Sequence, residues 1–129
     1  MNDTITPLLQ LKEKVARFVS DREWNQFHNP KNLSMDIAVE AAELMELFLW
    51  VDNAASFEVA EKRRQEMEDE LADIVIGVIC FANATKIDVA AAFAKKLASI
   101  EEKYPIEQVK GRSDKYTAYH ENRAHLYEK

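Results

Sequence analysis

Carboxylates recur at helical spacing inside the segment from Leu33 to Val51, which is otherwise apolar. On a helical wheel with about 100° between residues, Glu40, Glu43 and Glu46 fall on one arc with Asp36. Apolar side chains fill the rest of the wheel and interrupt the acidic arc, whereas a solvated helix presents a broad polar face. We therefore expect these carboxylates to be enclosed in the folded protein.

A second segment, from Glu66 to Ala84, repeats the arrangement, with Glu66, Glu70 and Asp73 on one arc that continues into small residues. Several carboxylates cannot share a dry site while all are ionised, so either their pKa values rise or a cation neutralises them. Carboxylate oxygens suit Mg²⁺, with Mn²⁺ as an alternative, and no histidine lies on either arc. The predicted metal ligands and catalytic acids are Glu40, Glu43, Glu70 and Asp73.

In each of the two pairs the acids are three residues apart, which puts both carboxylates on one helical face. Helices joined by a short loop run antiparallel, so the pairs can face each other if the connection is long enough to bring them level. Metal ions held there would clamp phosphates and lower the pKa of a bound water, and a spare carboxylate such as Glu46 could take its proton. The predicted chemistry is hydrolysis of a phosphoanhydride.

Two other interpretations stay open. The chain could be a non-catalytic helical oligomer, an interaction or regulatory module whose acids bind a structural ion or solvent. It could also hydrolyse a different phosphoanhydride, such as a dinucleotide or a histidine-biosynthesis intermediate. A di-iron bundle is disfavoured because it needs Glu-x-x-His, and no histidine follows either acidic pair at that spacing.

Four predicted helices position these acids in an all-α, four-helix-bundle-like fold. The first is expected to run from Thr6-Pro7 to about Arg22, and the second from a cap at Asn32 or Ser34 to near Val51. The third is expected from about Phe57 to Ala84. The fourth is expected from Val89 to Lys103, with Asp88 as its cap and Pro105 just beyond its end. The charged start of the third helix is expected to be a solvated face, made of Glu61, Lys62, Arg63, Arg64 and Glu68. No run alternates convincingly enough to be a strand.

Composition narrows the class of protein. A length of 129 residues is that of one domain, and a net charge of −6 disfavours binding to nucleic-acid polymers. The single cysteine, Cys80, lies in an apolar run and is expected to be a small buried hydrophobe, with a reducing cytoplasm as the default compartment. No signal peptide is recognisable, and the apolar run Ile74 to Ala84 is too short for the ~20 residues that span a bilayer. No membrane role is expected.

The segment between the first two helices, Glu23 to Leu33, carries aromatic residues where a loop is expected. Trp24 and Phe27 could pack as a lid over the end of the bundle. They could equally contact substrate, because binding residues concentrate on loops held by a rigid scaffold.

The chain resembles the all-α, MazG-like nucleotide pyrophosphohydrolases, particularly the dCTP-pyrophosphatase-like branch. Three stretches carry the resemblance: REWNQFHNPKNLSMDIAVEAAELMELFLW, DELADIVIGVICFA and KKLASIEEKYPIEQVKG. The family pattern, E-x-x-E followed by E-x-x-D, is matched by the four predicted ligands. The W-x-x-F-H-x-P-x-N-L segment is the more specific signature.

The resemblance implies a house-cleaning enzyme that cleaves a nucleoside triphosphate to the monophosphate and pyrophosphate with Mg²⁺. It also implies that Trp24 and Trp50 line the base pocket and that Lys96 lies near the substrate. Lys103 belongs to the K-Y-P sequence, and His28 belongs to the loop signature. Family members work as dimers or tetramers, so a homo-oligomer is expected. The polar stretch 106–129 lacks a strong period and is predicted to be an appendage to a MazG-like helical catalytic domain over residues 1–105.

Two positions depart from the dCTP branch. Gly77 stands where relatives often have a tyrosine, and Ile100 stands where they have an asparagine that reads the base. A polar readout rejects wrong bases better than apolar contact does. We therefore expect a preference for deoxynucleotides without a strict preference for cytosine.

Overall fold

The computed structural model describes residues 1–113, and these form helices and turns with no strand among them. The helices are α1 (Leu8–Asp21), α2 (Pro30–Glu46), α3 (Ser56–Lys62), α4 (Arg64–Thr85), α5 (Val89–Lys103) and α6 (Ile106–Val109). The predicted all-α fold is confirmed.

The chain divides into two compact units, Met1–Ile87 and Asp88–Lys129. The first unit holds α1 to α4, and the second begins with α5. The predicted division into residues 1–105 and 106–129 stays a prediction. The part of the predicted appendage from residue 114 onward lies outside the described residues.

Local signals set the bounds of α1 and α5. Pro7 is extended immediately before α1, and Asp88 caps α5 by accepting a hydrogen bond from the backbone N–H of Ala91 at 2.9 Å. Both helices therefore begin and end close to their predicted positions.

The second helix differs from its prediction at both ends. Its cap is Asn29, whose side chain accepts a hydrogen bond from the N–H of Asn32 at 3.0 Å, rather than Asn32 or Ser34. Pro30 then occupies the first helical position, where its missing N–H costs nothing. The helix ends at Glu46 instead of Val51, because the chain turns at once and Trp50 adopts a left-handed φ of 64°.

The predicted third helix is broken in two. Arg63 separates α3 from α4, with φ −106° and ψ 30°, which is outside helical geometry. The stretch from Phe57 to Ala84 is therefore not one continuous helix, and the connection between α2 and α4 contains a short helix of its own.

A small core joins α1, α2 and α4. Val19, Leu33 and Cys80 are buried together, with Val15 and Phe81 packed against them. Burial, followed by the nearby charge of Asp36, raises the pKa of the Cys80 thiol, so this cysteine is an unreactive core residue as predicted.

Large apolar side chains remain exposed on α2 and α4, among them Val39, Met45, Leu71 and Ile76. No single helix in residues 1–113 is both long and apolar enough to span a membrane; only α4 and α5 taken together reach that length and composition.

Candidate metal centre

Helices α2 and α4 share the most extensive helix–helix contact in the described residues, and they run antiparallel. Gly77 lies beside Asp36 and Ile37, while a carboxylate oxygen of Glu43 lies within 4.8 Å of one of Glu70. Positions later in the sequence of α2 therefore lie beside positions earlier in the sequence of α4, as in any antiparallel pair. The long connection through α3 is what brings the two acidic pairs level.

Three of the four predicted ligands come together. One carboxylate oxygen from each of Glu40, Glu43 and Glu70 lies within 4.8 Å of the other two. Asp73 lies outside that cluster but close enough for its charge to act on Glu40 and Glu70. Asp36, which carries no predicted role, adds its charge to Glu40 in the same way. The site is thus a stripe of facing acids along the α2/α4 interface.

Crowding perturbs the protonation of two of these acids. Burial raises the pKa of Glu40, and the charges of Glu43, Asp73, Asp36 and Glu70 raise it further. Burial also raises the pKa of Glu70, followed by the charges of Glu43 and Asp73 and the hydrogen bond with Glu43. Both shifts have the sign expected of carboxylates that are partly shielded from water and lie close to one another.

The donor set fits a hard divalent cation. All the donors are carboxylate oxygens, which Mg²⁺ and Mn²⁺ prefer. Ligand oxygens around Mg²⁺ lie roughly 3 to 4 Å apart, so a spread of up to 4.8 Å closes with small side-chain rotations. Glu40, Glu43 and Glu70 are the residues that could hold such an ion, with Asp73 beside them.

The aromatic turn before α2 is ordered by local contacts. The Trp24 ring meets Phe18 edge-on, with centroids 5.7 Å apart, and its centroid lies 6.5 Å from that of His28. The side-chain amide of Asn32 donates to the carbonyl of Phe27 at 3.0 Å, which fixes the turn. Phe27 is 58% exposed, so its ring is not buried as the lid interpretation requires. His28 lines a cavity of about 310 Å³ together with Asn25 and Cys80.

Among the large hydrophobic residues of the described part of the chain, Trp50 is the most exposed, at 95%, and it has a left-handed backbone. Such conformations are costly for bulky residues and concentrate at functional sites. Trp50 lines an apolar hollow with Met45 and Leu49 at the end of α2.

The remaining predicted substrate contacts, Lys96 and Lys103, lie on α5 in the second unit, and their role stays a prediction. Arg63 contradicts its prediction as part of a solvated face. It is half-buried and reaches back to the carbonyl of Leu47 at 3.1 Å. The run of charges around it gives no signal of that contact, because Leu47 is 16 residues away.

A model of the MazG-like family matches residues 35–118. The chain is 34% identical over 104 residues to dCTP pyrophosphatase 1 of Rattus norvegicus and 31% identical over 104 residues to that of Homo sapiens. Each match covers 79% of this chain and 61% of the relative, so the chain spans less than two thirds of these relatives' length.

A solved structure has the same fold. The crystal structure of a pyrophosphatase from Archaeoglobus fulgidus DSM 4304 is 33% identical in sequence, with a TM-score of 0.75, and the match covers 81% of this chain and 98% of the other. The family match includes the whole facing set of acids from Asp36 to Asp73. The chain belongs to the MazG-like family.

Proposed function

We propose that this protein is a divalent-metal-dependent pyrophosphohydrolase that cleaves a nucleoside triphosphate to the monophosphate and pyrophosphate. The observation that carries the proposal is the cluster of Glu40, Glu43 and Glu70 across the α2/α4 interface. A catalytic role for such a cluster is supported by membership of the MazG-like family and by relatives named as pyrophosphatases. The names of the curated relatives support dCTP or a related deoxynucleotide as substrate.

The facing acids would act as ligands of Mg²⁺ or Mn²⁺. A bound ion would neutralise the phosphate chain and make a coordinated water more acidic. Glu40, Glu43, Glu70 and Asp73 would fix the position of the phosphates relative to that water. A carboxylate with a free oxygen, either among these or Glu46 at the end of α2, would accept the proton of the water as it attacks phosphorus.

Base and phosphate contacts come from outside the acidic cluster. Trp24 and the exposed, strained Trp50 offer aromatic faces for stacking on a base, and His28 stands beside Trp24. Lys96 and Lys103 would neutralise phosphate oxygens. Ile100 offers no hydrogen-bonding group to a base, which supports a relaxed base preference.

A homo-oligomer, a dimer or a tetramer, is part of the proposal. Its support is the exposed apolar surface of α2 and α4, which a single chain leaves in water. The same surface favours the competing function, a non-catalytic helical oligomer. Chelation distinguishes the two: an ion that only stabilises the oligomer should be needed for stability and give no turnover.

The direct test is pyrophosphate release from a panel of NTPs, dNTPs and one dinucleotide, with and without Mg²⁺. We expect metal-dependent release from at least one deoxynucleotide. Glu43→Gln or Asp73→Asn should lower the rate by about 10² or more, since each removes a charged carboxylate from the facing stripe of acids that would hold the ion. Glu61→Gln on α3 is the matched control. Equal activity in Glu43→Gln and the wild type would overturn the assignment.

A further inference from the structure

Arg63 occupies the break between α3 and α4 and contacts both sides of the α2/α4 interface. Its Nε and Nη2 donate to the two carboxylate oxygens of Glu66, at 3.1 and 2.6 Å. Its Nη1 donates to the backbone carbonyl of Leu47, at 3.1 Å. One guanidinium therefore joins the first turn of α4 to the residue that caps α2.

The geometry of this contact is more constraining than that of an ordinary surface ion pair. A planar guanidinium that grips a carboxylate through two N–H groups has a fixed orientation, so its remaining N–H groups point in a defined direction. The carbonyl at the end of α2 has no partner within its helix, and Arg63 supplies one. The side chain of Arg63 is 39% exposed, and its hydrogen bond to Leu47 joins residues that are 16 positions apart in the sequence.

Arg64 provides an internal comparison. It also pairs with a glutamate on α4, through Nε to Glu68 at 2.8 Å, but its side chain is 73% exposed. The described contacts of Arg64 stay on its own helix, whereas those of Arg63 cross to α2. Of the two adjacent arginines, only Arg63 makes a described contact with α2, through its bridge to Leu47.

The bridge bears on the acidic cluster because of where it lies. Leu47 follows Glu43 by four residues and Glu66 precedes Glu70 by four residues, so the bridge stands one helical turn from the Glu43–Glu70 contact. Clamping the helices there limits how far they can slide or separate at the next turn. Pairing with Arg63 also occupies both oxygens of Glu66, which is the next acid on the α4 stripe.

We propose that Arg63 is a positioning residue of the metal centre, holding α2 and α4 at the spacing that lets Glu43 and Glu70 bind one ion. The inference rests on the proposed function only in requiring that these acids bind a divalent cation. Without the bridge, the ligand oxygens on the two helices would sample wider separations, and the protein would bind the ion less tightly.

The experiment compares two charge-neutral double variants of the full chain. Arg63→Gln with Glu66→Gln removes the bridge and also prevents the freed Glu66 from becoming a new ligand. Arg64→Gln with Glu68→Gln removes a similar ion pair from the same helix and leaves the bridge. Mn²⁺ binding is measured by electron paramagnetic resonance, with circular dichroism as the check of folding.

We expect Mn²⁺ to bind roughly tenfold more weakly to the first variant, in the range found for groups that orient metal ligands, and equally well to the second variant and the wild type. In assays of nucleotide cleavage by the first variant, the Mg²⁺ concentration that gives half the maximal rate should rise. Its rate at saturating Mg²⁺ should equal that of the wild type. A merely structural role would lower the melting temperature and leave both metal readouts unchanged.

Wild-type affinity for Mn²⁺ in the first variant would overturn the inference, as would equal weakening in both variants. If the first variant is unfolded, Arg63→Lys decides, because lysine keeps the charge but cannot grip Glu66 and reach Leu47 together. A wild-type chain that binds Mn²⁺ but cleaves no nucleotide would refute the proposed function. The Mn²⁺ affinities of the two double variants would still decide the role of Arg63. A wild-type chain that binds no Mn²⁺ would overturn the inference itself.

Discussion

Replacing Gly77 by alanine tests how closely α2 and α4 approach at the acidic stripe. Gly77 is buried in α4, and a Cβ built there would lie 3.1 Å from Cγ1 of Ile37 and 3.3 Å from Oδ2 of Asp36. Ordinary van der Waals contacts of a Cβ begin at about 3.4 Å. Even the smallest side chain would therefore press against α2 one turn from Asp73.

Two opposing effects set the size of the change. Alanine in a helix interior is favoured over glycine by about 1 kcal/mol. Inserting a methyl group into a packed interface costs about 1 to 3 kcal/mol. For Gly77→Ala we expect a net loss of about 1 kcal/mol in the free energy of unfolding, which lowers the melting temperature by roughly 4 °C in a chain of this size.

A double-mutant cycle with Ile37→Ala isolates the steric term. Removing the Ile37 side chain vacates the position nearest to the new methyl group, so in that background Gly77→Ala should stabilise the protein by about 0.5 to 1 kcal/mol. Urea denaturation at constant pH measures the free energy of unfolding of the metal-free wild type, the two single variants and the double variant. Ala72→Gly, at an exposed position of the same helix, calibrates the difference between alanine and glycine in α4.

The sign of the coupling decides the outcome. If Gly77→Ala stabilises the wild-type and the Ile37→Ala backgrounds equally, the two helices are not in close contact at this point. The facing arrangement of the acids would then lose its geometric basis.

Two further predictions concern the site. Because burial, followed by the charges of neighbouring carboxylates, raises the pKa of Glu40 and Glu70 above that of an unfolded carboxyl, near 4.3, the metal-free protein should lose stability as pH rises from there through the raised values. Adding Mg²⁺ should therefore raise the melting temperature more at pH 7.5 than at pH 5; an equal rise would count against the acidic cluster as the binding site. Trp50→Ala should leave the free energy of unfolding within about 0.5 kcal/mol, since the indole is 95% exposed, while raising KM for the nucleotide. An unchanged KM in steady-state assays would remove Trp50 from the substrate site.

Gly77 permits the close approach of the helices, and Arg63 closes the interface at its other end. Between them lie the acids from Glu40 to Asp73. The stripe is thus bounded by one residue with no side chain and one with a long, charged side chain.

Local sequence patterns determined the parts of this protein that depend on neighbouring residues. Helical periodicity and the Asp88 cap predicted α5 correctly, and three-residue spacing placed Glu40 with Glu43 on one face. These features follow from backbone geometry within one or two turns, so the sequence alone carries them.

The tertiary structure decided what depends on residues far apart in the chain. Local patterns did not predict the end of α2 at Glu46, the break at Arg63 or the register that places Glu43 beside Glu70. Periodicity gives the face of a helix but not its offset along a partner, because that offset depends on the path of the connecting chain. A hydrogen bond such as that from Arg63 to Leu47 exists only once the fold has brought its two groups together.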